Sequence, residues 1–343
     1  MSTFVIAEVG VNHNGDLAMA LALVDCAARS GCDAVKFQTF SADKVVWRGV
    51  EKARYQALAT SCGDQYDMLK ALELSSEAHV ALARHCASVG IEFMSTPFDE
   101  AAADFLLTLG LRRFKVPSGE ITNEPLIRHI AATGRPVIMS TGMATLAEVR
   151  RASQVVEDAR RDAGCDGPLA DGLTLLHCTS SYPASVDDVN LRAMRTLHEA
   201  TGLPVGYSDH TLGTAVATAA VALGAVVIEK HVTMDRRLPG PDHAASLTPD
   251  ELTMMVRHIR DIERALGSAE KRPTPAELEV RALVRRSVTA VQTIRKGASV
   301  GSEDVAILRP GTGIPPAELG KVVGRTAARE LPAGTTLVWD DLV

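Results

Sequence analysis

Aromatic residues and excess positive charge are both scarce in this 343-residue chain. Aromatics make up 4% of the sequence, and 36 Lys and Arg stand against 42 Asp and Glu, which gives a formal charge of -6. Such a chain has no broad basic face for a phosphate backbone, so we expect no nucleic-acid partner. A few cations inside a cleft could still bind a small anion, because net charge describes the surface and not a site.

Long apolar segments and paired cysteines are lacking as well. The most apolar stretch, residues 213–228, is short for a membrane span, and we predict a helix, a break and a buried strand there, with no membrane partner. Residues 1–10 lack the features of a secretory signal, so we expect a cytoplasmic protein. No CxxC pair occurs, which favours reduced core thiols for Cys26, Cys32, Cys62, Cys86, Cys165 and Cys178.

What the sequence does have is a repeating alternation of apolar runs and helical patterns. Eight apolar runs that end in polar residues lie at Phe4–Glu8, Ala34–Thr39, Ile91–Thr96, Phe114–Ser118, Val137–Thr141, Leu173–Cys178, Val205–Ser208 and Val226–His231. Helical patterns such as Leu17–Ser30 and Ser76–Val89 separate them. Eight such units in this length predict an α/β fold of the (β/α)8 type, a TIM barrel, with a doubly wound open sheet as the alternative.

The C-terminal part has a different sequence pattern. A polar, Pro-containing stretch begins after Gly267, and a short helix is predicted at Pro275–Val284. Residues 294–305 and 331–342 then repeat one pattern of apolar, Gly and Asp positions, which predicts a small pseudo-symmetric β-rich module. We therefore divide the chain into a catalytic barrel (1–267), a linker (268–284) and a C-terminal domain (285–343). A module this small has little core of its own, so it is expected to pack against the barrel or against a second subunit.

Active sites of TIM barrels lie at the carboxyl ends of the strands, where this sequence places its unusual polar residues. Lys36 and Lys115 stand in buried-looking strands, where an unpaired ammonium group is costly, so each should meet an anion. That anion is either a structural carboxylate or a bound phosphate or carboxylate, held with the hydroxyls of Thr96, Ser118, Ser140 and Ser208. A lysine here also permits a Schiff base with a keto acid, as in pyruvate aldolases.

Two histidines end the last two predicted strands. His210 and His231 should be neighbours in a closed barrel, and two imidazoles can hold a divalent ion while leaving positions open for substrate. His13, His177 and His243 are reserve ligands. Glu8 and Glu120 add carboxylates near strand ends, which either orient a ligand and move a proton or form structural salt bridges.

Ordered motifs make the chain similar to the sialic acid (N-acetylneuraminate) synthase family, whose tail is an antifreeze-protein-like (SAF) domain. The motifs are IAEVGVNHNG at 6–15, VKFQT at 35–39, STPFD at 95–99, KVPSGE at 115–120, STGM at 140–143, SDHT at 208–211, EKH at 229–231 and GPDH at 240–243. The resemblance implies a transferase that condenses phosphoenolpyruvate with N-acetylmannosamine and water, giving N-acetylneuraminate and phosphate. It also implies a divalent metal, Mn²⁺ or Mg²⁺.

The resemblance further implies roles for single residues. His210 and His231 would hold the metal, with Glu8 beside the metal and the sugar, and Glu120 would assist the later oxocarbenium or tetrahedral stage. Phosphoenolpyruvate would be bound by Lys36, Thr96, Lys115, Ser118, Ser140 and Ser208, and the sugar by Gln38, Tyr182 and Asp242. Arg309 of the C-terminal domain would reach the barrel of a partner subunit, which implies a domain-swapped homodimer.

One segment departs from the family pattern. Ser180 and Ser181, before Tyr182, stand where members that make N-acetylneuraminate or legionaminate usually carry a longer polar or acidic pair. The acceptor therefore stays open, and a legionaminic acid synthase that uses a 2,4-diacetamido-2,4,6-trideoxyhexose is the alternative. A Schiff-base aldolase is a more distant one. An ice- or glycan-binding protein whose barrel has lost catalytic activity is disfavoured, because buried charges at one rim would not stabilise such a barrel.

Overall fold

The chain folds into two compact units. A computed structural model describes residues 2–60 and 63–343, and the chain divides between Gly267 and Ser268. Cys62, one of the predicted core thiols, lies outside the described residues. Four of the other cysteines are buried and Cys165 is half-buried, and all five are free thiols. Within the described ranges, no helix is both long and apolar enough to cross a bilayer.

The first unit is the predicted TIM barrel. Its strands are β1 (Phe4–Gly10), β2 (Ala34–Thr39), β3 (Glu92–Pro97), β4 (Phe114–Val116), β5 (Val137–Ser140), β6 (Leu173–Cys178), β7 (Val205–Asp209) and β8 (Val227–His231). All pairings are parallel in the order β3-β2-β1-β8-β7-β6-β5-β4, and β4 lies beside β3, which closes the barrel. The open-sheet alternative is therefore wrong.

Helices surround the strands, and three short ones form an insertion in the connection between β2 and β3. They are α1 (Leu17–Arg29), α2 (Ala42–Val45), α3 (Arg54–Ala59), α4 (Gln65–Ala71), α5 (Ser76–Val89), α6 (Glu100–Thr108), α7 (Glu124–Ala132), α8 (Leu146–Asp162), α9 (Leu169–Gly172), α10 (Ala193–Thr201), α11 (Ala215–Ala222) and α12 (Pro249–Leu266). The sequence patterns did not indicate α2, α3 and α4, which lie between β2 and α5. This insertion lies at the carboxyl ends of the strands, where TIM barrels build their sites.

Alternation of side chains along each strand separates two apolar layers. An inner cluster fills the barrel and consists of Ile6, Ala34, Met94, Ile138, Leu176 and Val227. A larger cluster lies between the strands and the helices and includes Val5, Phe37 and Tyr207. Because successive strand residues face opposite sides, a polar residue next to an outer-layer residue points into the barrel. The inner cluster thus lies beneath the polar strand ends.

The fourth predicted strand ends earlier in the structure than its sequence pattern indicates. β4 ends at Val116, because Pro117 has no N–H with which to continue the ladder. Ser118, predicted to end this strand, instead begins a 3₁₀ turn over Ser118–Glu120. The turn decides which of its side chains can reach the barrel mouth.

The second unit confirms the predicted β-rich module and its repeat. It contains α13 (Pro275–Val284), β9 (Ser287–Ala290), β10 (Val305–Leu308) and α14 (Leu319–Val322). The first residues of the two repeats, Ile294 and Leu331, exchange reciprocal backbone hydrogen bonds of 2.9 Å. Eleven buried apolar residues form a core of its own, with Val288, Leu331 and Leu337 fully buried.

Candidate active site

A cavity of about 500 Å³ opens at the carboxyl ends of the barrel strands. Twelve of the fourteen predicted site residues line it: Glu8, Lys36, Gln38, Thr96, Lys115, Ser118, Ser140, Tyr182, Ser208, His210, His231 and Asp242. They come from all eight strands or the loops that follow them. The barrel therefore brings together side chains that are up to 234 residues apart in sequence, from Glu8 to Asp242.

Four buried charged residues, Glu8, Lys36, Lys115 and Glu229, form the charged floor of this cavity. Each is at most 4% exposed. Glu8 stands in register with Lys36 on one side and with His231 on the other, and Lys36 Nζ lies 2.5 Å from Glu8 Oε2. Burial raises the pKa of Glu8 to about 7, although Lys36 acts in the opposite direction. Glu8 can therefore gain or lose a proton near neutral pH.

Glu229 was not among the predicted site residues, yet it lies between the two lysines. Its carboxylate oxygens lie 3.7 Å from Lys36 Nζ and 3.7 Å from Lys115 Nζ, and Ser208 Oγ donates to it at 3.1 Å. Burial would raise the pKa of Glu229, but Lys115 and Lys36 hold it below its usual value. Its sequence signal was its place two residues before His231, since both then share the inner face of β8.

Lys115 is the less strongly paired of the two lysines. Its Nζ donates to Ser140 Oγ at 2.7 Å and lies at 3.7 Å from Glu229. Burial lowers the pKa of Lys115, against the attraction of Glu229, whereas the pKa of Lys36 is raised because Glu229 and Glu8 outweigh its burial. With Thr96 Oγ1 at 3.2 Å from Lys36, the floor presents two ammonium groups and several hydroxyls to one space. This arrangement suits a small ligand that carries more than one negative charge.

The two predicted metal ligands are neighbours. The ring centroids of His210 and His231 lie 5.6 Å apart, and the Tyr182 ring packs against both, at 4.1 Å and 5.7 Å. His210 Nδ1 donates to the carbonyl oxygen of Thr179 at 2.7 Å, which leaves Nε2 as the nitrogen with a free lone pair. Burial lowers the pKa of both imidazoles, so both are neutral near pH 7.

This pair fits a divalent ion as a partial ligand set. Among the described residues, His231 Nδ1 is buried without a hydrogen-bond partner, and neutral imidazole nitrogens are common ligands of such ions. No cluster of three or more His, Cys, Asp or Glu side chains within the described ranges is arranged to hold a metal. An ion at His210 and His231 would therefore depend on water or substrate oxygens for its other positions.

The reserve ligands are engaged elsewhere, which corrects that expectation. His13 Nδ1 accepts the Gly15 N–H at 3.0 Å, and His177 Nε2 donates to the Val189 carbonyl at 2.7 Å. His243 uses both ring nitrogens, with Thr233 Oγ1 at 2.7 Å and Asn14 Oδ1 at 3.2 Å. None of the three lines the cavity.

The hydrogen bond between Asn14 and His243 helps to join two loops at the barrel mouth. Asn14 Nδ2 also donates to the carbonyl of Pro239, so the loop after β1 is bonded to the loop after β8. The latter loop carries Asp242, which is 8% exposed and lies with Oδ2 at 3.9 Å from His231 Nδ1. Burial raises the pKa of Asp242 to about 6. Asn14 and His243 thus position a carboxyl group beside the imidazoles.

Two predicted site residues do not line the cavity. Glu120 stands at the end of its 3₁₀ turn and accepts a hydrogen bond from Asn123 Nδ2 at 2.7 Å, while Ser118 of the same turn faces the cavity. Arg309 follows β10 in the second unit and is exposed. The geometry of the barrel therefore gives no support to a role for Glu120 in the cavity.

The insertion after β2 supplies cavity residues that sequence reasoning missed. Tyr55 stacks on Tyr182 at 5.3 Å, and Gln56 and Gln65 also line the cavity. Helices of four to seven residues are shorter than the window in which helical periodicity can be recognised, so no periodic pattern indicates them.

Comparisons with known proteins match both units of the chain to known families. Residues 23–271 match the model of the NeuB family, and residues 285–343 match the SAF domain. The chain is 55% identical to the N,N'-diacetyllegionaminic acid synthase of Legionella pneumophila, over 100% of this chain and 95% of that protein. It is 44% identical to the enzyme of that name from Campylobacter jejuni, over 95% and 96% of the two chains.

A solved structure is also similar. The N-acetylneuraminic acid synthetase of Leptospira borgpetersenii, in complex with citrate, superposes with a TM-score of 0.70 at 33% identity, over 82% of this chain and 90% of that one.

Proposed function

The chain belongs to the NeuB family, and we propose from this membership that it makes N,N'-diacetyllegionaminate and phosphate. The substrates are phosphoenolpyruvate, 2,4-diacetamido-2,4,6-trideoxymannose and water. The observation that carries the proposal is the single cavity in which two buried ammonium groups lie beside two neutral imidazoles. The choice of acceptor is supported by the identities of 55% and 44% to proteins named for this product. It replaces N-acetylmannosamine, the acceptor first expected from the sequence.

The cationic part of the cavity binds phosphoenolpyruvate. Lys36 and Lys115 neutralise its carboxylate and phosphate, and hydroxyls donate to the remaining oxygens from Thr96, Ser118, Ser140 and Ser208. Glu229 holds both ammonium groups near their places, with 3.7 Å to each. Preorganised charges in a site that excludes water stabilise developing charge without reorganisation at the moment of reaction.

The reaction forms a carbon–carbon bond and a carbon–oxygen bond to water, and it breaks the carbon–oxygen bond to phosphate. The enol C3 attacks the aldehyde carbon of the open-chain sugar, whose oxygen takes up a proton. Water then adds at C2, and the C2–O bond to phosphate breaks, so that phosphate leaves with the bridging oxygen. One proton of the water leaves with the phosphate, and the other replaces the proton given to the aldehyde oxygen. Glu8, whose pKa is about 7, holds the proton for the aldehyde oxygen on Oε1, because Oε2 is engaged by Lys36.

His210 and His231 would hold the divalent ion, Mn²⁺ or Mg²⁺. When bound, such an ion supplies Lewis-acid polarisation of an aldehyde oxygen. Burial lowers the pKa of both imidazoles and so keeps them neutral, as metal binding requires. The hydrogen bond to the Thr179 carbonyl fixes the orientation of the His210 ring. Gln38, Tyr182 and Asp242 bind the sugar beside them.

We also retain the proposal that Arg309 of one subunit completes the sugar site of another in a homodimer. Its support is the resemblance of the tail, together with the exposure of Arg309 after β10. The variant Arg309→Ala should raise the KM for the sugar more than that for phosphoenolpyruvate, measured at saturating concentrations of the other substrate. An unchanged sugar KM would remove Arg309 from the site.

Phosphate release from phosphoenolpyruvate tests the proposed function. The full chain is assayed with Mn²⁺ and, in parallel, the diacetamido sugar, N-acetylmannosamine or N-acetylmannosamine 6-phosphate, each with and without chelator. Chelator-sensitive release that is fastest with the diacetamido sugar is the expected result. Preference for N-acetylmannosamine would instead make the chain an N-acetylneuraminate synthase, as in the Leptospira relative. No release with any sugar, together with borohydride trapping of pyruvate on a lysine, would favour the Schiff-base aldolase.

A further inference from the structure

One side of the cavity is apolar, in contrast to the charged floor. Val11, Met68, Leu69 and Leu72 line it, and they form the apolar wall. Val11, Met68 and Leu72 are buried at 4%, 8% and 7% exposure, and Leu69 is half-buried. Phe40 packs behind the wall. None of these side chains carries a strong hydrogen-bonding group.

The wall suits the acceptor better than phosphoenolpyruvate, because it is apolar and lies across the barrel from Lys115. Val11 follows β1, and the other three residues belong to α4 or follow it, in the insertion after β2. Of the groups proposed for phosphoenolpyruvate, Lys115, Ser118 and Ser140 belong to β4, β5 and the turn between them, which lie across the barrel from β1. Lys36 and Thr96 stand on β2 and β3, nearer the insertion in strand order. An anion with two charged groups binds where the ammonium and hydroxyl groups are, so the uncharged sugar extends toward the wall.

The cavity also contains amide side chains, which give the polar substituents of the acceptor a place separate from its apolar ones. Gln38 and Gln65 line the same cavity, and each amide offers both a donor and an acceptor, which match the N–H and C=O of an acetamido group. Gln56 also lines it, but its amide already accepts from the Ala53 N–H and donates to the Tyr55 hydroxyl. A sugar hydroxyl placed against the wall would lose its hydrogen bonds to water without replacement. A methyl group in the same place loses nothing and buries apolar area.

We propose that the apolar wall selects an acceptor that is deoxygenated at C6, with the C6 methyl group packed on Met68, Leu69 and Leu72. This inference rests on the proposed function, because it names the part of the cavity that distinguishes the two candidate acceptors. The two natural candidates differ at both C4 and C6, so a third sugar is needed to isolate C6. The sugar 2-acetamido-2,6-dideoxymannose differs from N-acetylmannosamine only by the 6-hydroxyl.

The test compares kcat/KM for this matched pair of sugars, with phosphate release as the readout. An apolar pocket discriminates against an added hydroxyl by about tenfold to a hundredfold, so the wild-type chain should prefer the 6-deoxy sugar by that factor. Leu69→Gln is the variant of choice because Leu69 is only half-buried. It should reduce the preference to about onefold to threefold, mainly by raising the KM of the 6-deoxy sugar.

Two further variants separate this effect from general damage. Leu69→Met keeps the wall apolar and should retain the preference. Met143→Gln makes the same kind of change at an exposed residue that lines the cavity after β5, across the barrel from the wall, and should also leave the ratio unchanged. If Leu69→Gln fails to fold, the wild-type ratio still decides, since a ratio of one contradicts the inference.

The outcomes also separate this inference from the proposed function. Release with the diacetamido sugar, combined with no preference between the matched sugars or an unchanged ratio in Leu69→Gln, overturns the apolar wall as the selector and leaves the synthase standing. Absence of release with every sugar overturns both.

Discussion

Strand β8 carries buried charge on both of its faces, and the two charges have different surroundings. On the inner face, Glu229 lies 3.7 Å from each of its two lysines and borders an open cavity. On the outer face, Lys230 and Asp209 form the outer pair, with 2.7 Å between Nζ and Oδ2 and both side chains 0% exposed. Lys230 also donates to the carbonyl of Thr211.

The two faces differ in how completely their buried charged groups are paired and hydrogen-bonded. Asp209 accepts from the N–H and the hydroxyl of Thr211 in addition to Lys230, so the outer pair is fully bonded. On the inner face, Glu229 keeps contacts of 3.7 Å with both lysines and faces a space that a ligand can fill. A buried charge alone therefore does not mark a functional residue, whereas a buried charge that is loosely paired at a cavity does. This contrast predicts that the inner face controls activity and the outer face controls stability.

The largest expected effect on activity comes from the imidazoles of the inner face. His231→Ala should abolish binding of Mn²⁺ and lower phosphate release by about a thousandfold, because Lewis-acid assistance contributes several kcal/mol. Bound Mn²⁺ after dialysis, followed by electron paramagnetic resonance, is the measurement. His177→Gln is the matched control, since His177 is bonded to Val189 and should not change the bound metal. Equal Mn²⁺ in wild type and His231→Ala would exclude His231 as a ligand.

Glu229→Gln should have the next largest effect. Loss of one partner from a buried charge cluster costs about 3 kcal/mol, or roughly a hundredfold in kcat/KM for phosphoenolpyruvate. Burial lowers the pKa of Lys115 and Glu229 raises it, so removal of Glu229 lowers it further. The alkaline limb of the pH profile of kcat/KM should therefore move to lower pH.

Glu92→Gln provides the control for Glu229. Glu92 lies at the amino end of β3, where it pairs with Arg113 at 2.8 Å, so its substitution should leave the pH profile unchanged. An unshifted alkaline limb in Glu229→Gln would show that Glu229 does not govern the charge of Lys115.

Lys230→Met should act on stability instead. It leaves Asp209 as a buried carboxylate without its cation, which costs about 3–5 kcal/mol of unfolding free energy. Denaturation by urea measures this loss. The double variant Lys230→Met with Asp209→Asn removes the uncompensated charge and should recover part of it. A double variant less stable than Lys230→Met would mean that the ion pair is not the source of the loss.

The smallest expected effect concerns the contact between the loops after β1 and β8. Asn14→Ala removes hydrogen bonds to His243 and Pro239 and loosens the loop that carries Asp242. A loss of about 1 kcal/mol corresponds to roughly a fivefold rise in the sugar KM. The KM for phosphoenolpyruvate serves as the internal control. Equal changes in both constants would argue against a positioning role.

Much of the barrel and of its mouth could be predicted because both follow from local pattern. Polar residues at the ends of apolar runs located Lys36, Lys115 and both imidazoles at one face, since parallel strands share an end. Glu229 was missed as a site residue although it shares the inner face of β8 with His231. The outer pair shows why a charged residue in an apolar strand is ambiguous without its partners.

Other features depend on contacts that sequence cannot show. His13, His177 and His243 are engaged by backbone or hydroxyl partners that only the fold reveals. Glu120 ends the 3₁₀ turn after Pro117, accepts a hydrogen bond from Asn123 and does not line the cavity. The apolar wall stands on an insertion whose helices are too short to show a period.

The relation between activity and folded fraction tests the central claim most directly. Phosphate release and the fraction folded, from circular dichroism, are measured for Glu229→Gln and Lys230→Met across one temperature series. Glu229→Gln should lose roughly a hundredfold in activity while fully folded, and Lys230→Met should lose activity only in proportion to its loss of fold. Full activity in folded Glu229→Gln, or inactivity in folded Lys230→Met, would contradict the division of roles between the two faces.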